Sequence, residues 1–353
     1  MVKYLLGLGL LLSVLAGCQP AQDKLAITRQ APPNLGADVV PNTPLVFPRD
    51  HGAHLDQSIE WWYVTANLEA EDGSQFGVQW TLFRTSMAEP PKSESPWWDG
   101  QLYFAHFAIQ NNNAHHAFEK FARAGQVEIT AAPFVARIDD WQLKGSNEDT
   151  LPMQLIAREG QYAANLTFDN SVLVRHGIDG YSQKTAQGHA SYYYSYPFLD
   201  ASGTLDFAGK RYQVAGKAWL DREWSSALID PSQSGWDWFS LQADDPTEGG
   251  LMVFCIKNAE QKYDHCSGSR IQPNGMVEKI NHTDILLQRT KYVALADKHY
   301  PVKWTLDIAG FETIHIHSVN KDARNALSIP YWEGRVVSAG GYTAKGYVEL
   351  VGY

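Results

Sequence analysis

Apolar residues recur at every second position over Glu60 to Arg84, the most regular stretch of the chain. Trp61, Tyr63, Thr65 and Asn67 fall on one face of an extended chain, and Trp62, Val64, Ala66 and Leu68 on the other. After Glu71-Asp72-Gly73-Ser74 the return run puts Phe76, Val78, Trp80 and Leu82 on one face and Gln79, Thr81 and Phe83 on the other. Period two in β-branched and aromatic residues, broken by a Gly-containing turn, predicts a β-hairpin. Large aromatics occupy both faces. One face is therefore expected to pack a core, and the other to line a cavity or meet a second layer.

The pattern continues along the chain. Strands are predicted at Leu102 to Gln110, Val127 to Thr130, Phe134 to Leu143, Tyr162 to Phe168, Ser191 to Tyr196, Leu251 to Lys257, Val302 to Ile308, Tyr331 to Val337 and Gly346 to Val351, among others. A helical apolar period shows only around Thr283 to Ala296. Many short strands separated by turn signals predict an all-β sandwich or barrel. Trp236 to Phe254 repeats the opening motif: an aromatic strand, an acidic turn with Gly, and a second apolar strand. That echo points to two related β domains, with two hairpins alike by chance as the alternative.

Length and charge narrow the class. A chain of 353 residues suits about two domains. The net charge of −10 and the absence of any basic run argue against nucleic-acid binding. The first residues read as a leader. Lys3 gives a positive start, Leu5 to Leu15 an apolar run, and Leu15-Ala16-Gly17-Cys18 the form of a bacterial lipobox, against the alternative of an ordinary secretory signal. The apolar run is too short to span a bilayer. Cleavage after residue 17 would leave Cys18 acylated and the chain anchored to the membrane by lipid. Gln19 in place of Asp favours the outer membrane, on its periplasmic side, in a Gram-negative host. Residues 18–44 read as a flexible tether. Symmetric hairpin pairing sets Cys255 opposite Cys266, and both a disulfide and two free thiols stand.

Candidate chemistry gathers in Trp219-Leu220-Asp221-Arg222-Glu223-Trp224. On a strand Trp219, Asp221 and Glu223 share a face. A carboxyl among aromatics is desolvated and stays protonated near neutrality, as a general acid requires. Arg222 could instead hold the carboxylates ionised in a structural salt-bridge node. The Ser191 to Tyr196 run supplies hydroxyls and ring faces, and Tyr194 is the candidate partner of Asp221 and Glu223. Trp61, Tyr63, Trp80, His106, Trp219 and Trp238 are the expected cavity walls. Glu60, Arg84 and Arg222 are expected to form a charge cluster, Glu60 being either a second acid or a tie to the Asp221 segment. His51-x-x-His54 and His315-x-His317 lack a third ligand in sequence, so no metal is expected. With no nucleotide fingerprint, no P-loop and no G-x-S-x-G elbow, no cofactor and no serine hydrolase are expected.

The runs HGAHLDQSIEWWYVTANL, FGVQWTLFR, YFAHFAI, SYYYSYP, GKAWLDREWSS, GWDWFSLQ and YWEGRVV with GYVELVGY resemble the AttH-like proteins over roughly residues 45–353. That family is related to carotenoid 1,2-hydratases and is often labelled "predicted secreted hydrolase". The resemblance implies two lipocalin-like antiparallel β-barrels in tandem, residues 45–228 and 229–353. It also implies a hydrophobic small molecule or lipid as ligand, with two possible roles. One is an acid-assisted hydratase or hydrolase acting on an apolar, isoprenoid-like compound. The other is a non-catalytic lipid carrier beside an ABC-type transporter in the envelope. In the hydratases an acid Asp protonates an alkene, aromatics shield the cation and water captures it. Asp221 and Trp224 match the hydratase segment. Trp219 stands where it has Tyr, and Leu220 and Arg222 where it has His.

Overall fold

The structure, a computed structural model, describes residues 36–353 apart from 88–96, 147–149, 187, 228, 230 and 231. The leader, Cys18 and the first part of the tether lie outside the described residues.

Two curled antiparallel sheets carry nearly all the regular structure, joined by short 3₁₀ turns. Their central strand order is the same. In the first sheet Ile59–Ala70 lies between its hairpin partner Gln75–Ser86 and Lys210–Ser225. In the second, Gln233–Ala243 lies between Gly250–Asn258 and Ala344–Leu350. Outward on the hairpin side come Gln101–Asn111 and Tyr263–Ile271 respectively. On the other side come Ala190–Phe207 and Tyr331–Gly340. The echo between the two hairpins is thus an echo of topology.

Alternation decides what each sheet encloses. Trp62, Val64, Ala66 and Leu68 join Phe76, Val78, Trp80 and Leu82 in the first interior. Phe239, Leu241, Val253, Trp304, Trp332 and Val348 fill the second. Cys255 and Cys266 are register partners in that second interior and are joined as a disulfide. The opposite faces of the central strands do not meet solvent. They pack sheet against sheet, and Tyr63, Tyr193, Trp219, Trp238, Met252, Phe254 and Tyr347 form a third apolar cluster between the two units.

Two expectations need correction. The stretch from Thr283 to Ala296 is a 3₁₀ turn, His282–Asp284, followed by a strand, Ile285–Leu295. Ile285 and Leu287 are buried while Leu286 between them is exposed, so period two governs there. The run from Phe134 to Leu143 is two strands, Phe134–Ile138 and Trp141–Gly145. The turn between them holds Asp139 at a φ of 54°, a left-handed conformation that Asp tolerates.

Candidate active site

Strand register lines up the polar residues of the first sheet in one row across its seam-facing surface. Ser195 pairs with Asp221, Asp221 with Tyr63, Tyr63 with Thr81, and Thr81 with His106. The second sheet opposes it with the row Phe254, Trp238, Glu349 and Glu333. The rows interlock. Tyr63 donates its hydroxyl hydrogen to Glu333 Oε1 and meets Trp238 edge-on at 5.4 Å. Trp238 Nε1 donates to Tyr193 Oη at 3.2 Å.

Asp221 is 3% exposed. Its Oδ1 accepts from Ser195 Oγ and, at 2.6 Å, from Trp219 Nε1. Burial pushes the carboxyl up to about 7, against the pull of the Ser195, Trp219 and Tyr193 hydrogen bonds. Ser195 Oγ also meets His176 Nε2 at 2.7 Å, and His176 Nδ1 meets Ser269 Oγ of the second unit at 2.9 Å. This makes an unbroken chain of exchangeable protons from Asp221 across the seam. His176 is fully buried, and burial pushes it down to about 3, so its ring is neutral.

The neighbouring carboxyls differ by their partners. Glu223 Oε1 accepts from Ser191 Oγ and pairs with Lys184 Nζ at 2.6 Å. Glu349 accepts from Trp236 Nε1 at 2.7 Å, and burial pushes it up to about 7. Glu333 is pushed well above the carboxylate range by burial, reinforced by Glu349. The seam therefore holds three acids that burial pushes up, Asp221, Glu333 and Glu349, beside Glu223, which pairs with Lys184.

Arg222 points the other way. Within the first barrel it donates to Glu60 Oε2 and lies 3.8 Å over the Trp62 ring. Arg84 Nε donates to Glu60 Oε1, so Glu60, Arg84 and Arg222 form one buried cluster. Glu60 is thus the tie to the Arg222 strand, and it lies on the face opposite Asp221. Of the expected cavity walls, Tyr63, Trp219 and Trp238 lie in the seam, Trp61 packs against it partly exposed, and His106 stands in the polar row. Two of the candidates lie away from the seam. Trp80 is fully buried inside the first barrel, between its strand partners Val64 and Phe107. Tyr194 faces that same interior, its hydroxyl 2.6 Å from His51 Nδ1, so it does not join Asp221. His315 and His317 are exposed on one strand face. Among the described residues no group of three or more His, Cys, Asp or Glu is placed to hold a metal ion.

Sequence reasoning missed Glu333, Glu349 and His176. The available signal was a charge inside an apolar strand. Glu333 follows Tyr331-Trp332, and Glu349 sits between Val348 and Leu350.

Gly77 lets the units close. A Cβ there would strike Tyr347 Oη of the second unit and come within 2.8 Å of Arg335 Cδ. Gly77→Val is expected to cost about 1–3 kcal/mol by overpacking, read as a lower urea midpoint. An unchanged midpoint would mean the units are not in close contact at that point.

A sequence profile of the AttH-like family matches residues 38–353. The chain belongs to the AttH-like family. A candidate AttH from Nitrosomonas europaea is 31% identical to this AttH-like chain. The match covers 90% of this chain and 99% of that one, with a TM-score of 0.79. Kievitone hydratase from Nectria haematococca shares the fold at 16% identity, covering 92% of this chain and 98% of its own, with a TM-score of 0.66. CghA, crystallised with Sch210972, shares it at 12% identity, covering 90% and 94%, with a TM-score of 0.51. No curated protein matches the sequence.

Proposed function

We propose that this AttH-like protein adds water to an isolated alkene of an apolar, isoprenoid-like molecule, with Asp221 as the acid. The observation that carries this is a buried carboxyl without a cation partner, held by Ser195 and Trp219 Nε1 on the strand face that packs into the Tyr63, Tyr193, Trp219 and Trp238 cluster. Asp221 gives its proton to the less substituted alkene carbon, and the π pair forms the new C–H bond. The adjacent carbon becomes a tertiary cation, which ring faces stabilise. A water oxygen attacks that carbon, and the water proton returns to the Asp221 carboxylate directly or through Ser195 and His176. Atoms balance with water as the sole co-reactant. The hydratase among the structural relatives supports the reading at the level of fold. Turnover of an isoprenoid panel in ¹⁸O-labelled water tests it. Labelled tertiary alcohol is expected, and none from any member of the panel would refute it.

We place the protein on the envelope through acyl chains on Cys18. Cys18→Ala is expected to move it from the membrane to the soluble fraction. Unaltered protein already in the soluble fraction would contradict the anchor.

A further inference from the structure

One end of the seam holds polar atoms that lack partners. Gln79, His106 and Glu333 are each at most 1% exposed. Gln79 Oε1, His106 Nε2 and Glu333 Oε2 make no hydrogen bond, although each residue's other polar atom does. Gln79 Nε2 donates to Tyr331 Oη at 3.2 Å, and Tyr331 Oη lies 3.0 Å from His106 Nδ1. We assign Tyr331 as accepting from Gln79 and giving its hydrogen to His106 Nδ1, which puts the His106 proton on Nε2. A donor at His106 and an acceptor at Gln79 stand open on the first sheet. An acid oxygen stands open at Glu333 on the second.

The three residues belong to one patch. Thr81 alone separates Tyr63 from His106 in the row, Gln79 is two residues from Thr81 on the same face, and Tyr331 and Glu333 are two apart on theirs. Strand spacings make this patch roughly 10 Å across. Buried polar atoms are seldom left unpaired, and unmatched ones at a site mark where a ligand or water pairs.

We infer that this patch binds the polar end of the substrate, and that this end is a neutral hydroxyl rather than a carboxylate or phosphate. The inference rests on the hydration reading for the role of the seam. A hydroxyl oxygen accepts from His106 Nε2 and its hydrogen goes to Gln79 Oε1, so both open atoms are matched at once. The chain of such a molecule then runs past Trp238 towards Asp221. Burial, as the largest influence, keeps His106 neutral, pushed down to about 3, and also keeps Glu333 protonated. An anionic head would face Gln79 Oε1 with no cation formed at His106 to meet it. A bare hydrocarbon would leave every open atom unpaired.

Three probes share one isoprenoid chain and differ at the end: geraniol, geranic acid and myrcene. Titration calorimetry of the unaltered chain at neutral pH is expected to give geraniol about a tenfold advantage over the other two, as one additional well-made hydrogen bond supplies. His106→Phe packs beside Phe83 and Phe104 and should bring geraniol down to the level of myrcene. Gln79→Leu provides the same test should the first variant fail to fold. Equal binding of the three, tighter binding of geranic acid, or binding of none overturns the inference. The two readings fail separately. Turnover that depends on Asp221, without a preference for the alcohol, refutes only the hydroxyl site. A preference for the alcohol, with full turnover in Asp221→Asn, refutes only the acid.

Discussion

Asp221→Asn is expected to lower turnover by about 100- to 10,000-fold while the protein stays folded, because a positioned general acid supplies that range. Asn keeps the shape and accepts from Trp219 Nε1, the bond that fixes Asp221 at 2.6 Å, but has no acidic proton to give. The pH profile expected of the parent protein follows from the same group. A protonated carboxyl is required, so activity falls as pH rises through about 7. Stability shifts in a known direction too. The Asp221 carboxyl is raised from 3.8 to about 7, so the folded state binds more protons than the unfolded chain between those values. The contribution of Asp221 to stability is fully present below 3.8 and is lost as pH rises through about 7. Asp221→Asn should therefore gain stability relative to the parent over that window, read from urea midpoints at several pH values. Full turnover in the variant, or a stability difference independent of pH, would refute the assignment.

Glu60→Ala is expected to cost about 3–5 kcal/mol, the effect of stripping a buried ion pair of one partner. Glu60, Arg84 and Arg222 all have fully buried side chains. Without Glu60, two guanidinium groups remain inside the first barrel. Arg84 keeps Gln101 Oε1 at 2.6 Å and the His54 and Gln57 carbonyls, but neither arginine keeps a carboxylate. Burial pushes the Glu60 carboxyl up, and Arg222, His54 and Arg84 together hold it well below the ordinary value of 4.5. Its ion pairs thus contribute fully above that value and are lost as pH falls below it. Urea unfolding at neutral pH measures the cost. A loss below about 1 kcal/mol would give the cluster the weight of an exposed pair.

Period-two alternation made the sheets legible, and it also separated Asp221 and Glu223 from Arg222 on one strand. It did not say which face was the core. Both faces of the opening hairpin carry aromatics, so the pattern alone does not tell that Trp80 shares its interior face with Val78 and Leu82 rather than facing the seam. The same holds for Tyr194. It alternates with Tyr193 and Ser195, and those two reach the seam while Tyr194 does not. The polar face of Gln79, Thr81, His106 and Ser195 reads as solvent-facing until a second sheet covers it. Glu333 was hidden because only the packing of one unit on the other brings it to Tyr63, and Glu349 because it meets Trp238 through a strand pairing more than a hundred residues apart in sequence. Local pattern carries the strand and its two faces. Contacts between distant strands carry the site.

The proposed chemistry depends on one protonated carboxyl buried in the seam. A carboxyl-detected ¹³C NMR titration, with Asp221→Asn assigning the resonance, measures that state directly. The Asp221 carbon is expected to titrate with a midpoint near 7. A midpoint at or below the ordinary aspartate value of 3.8 would mean the group is ionised at neutral pH, and the acid role would fail.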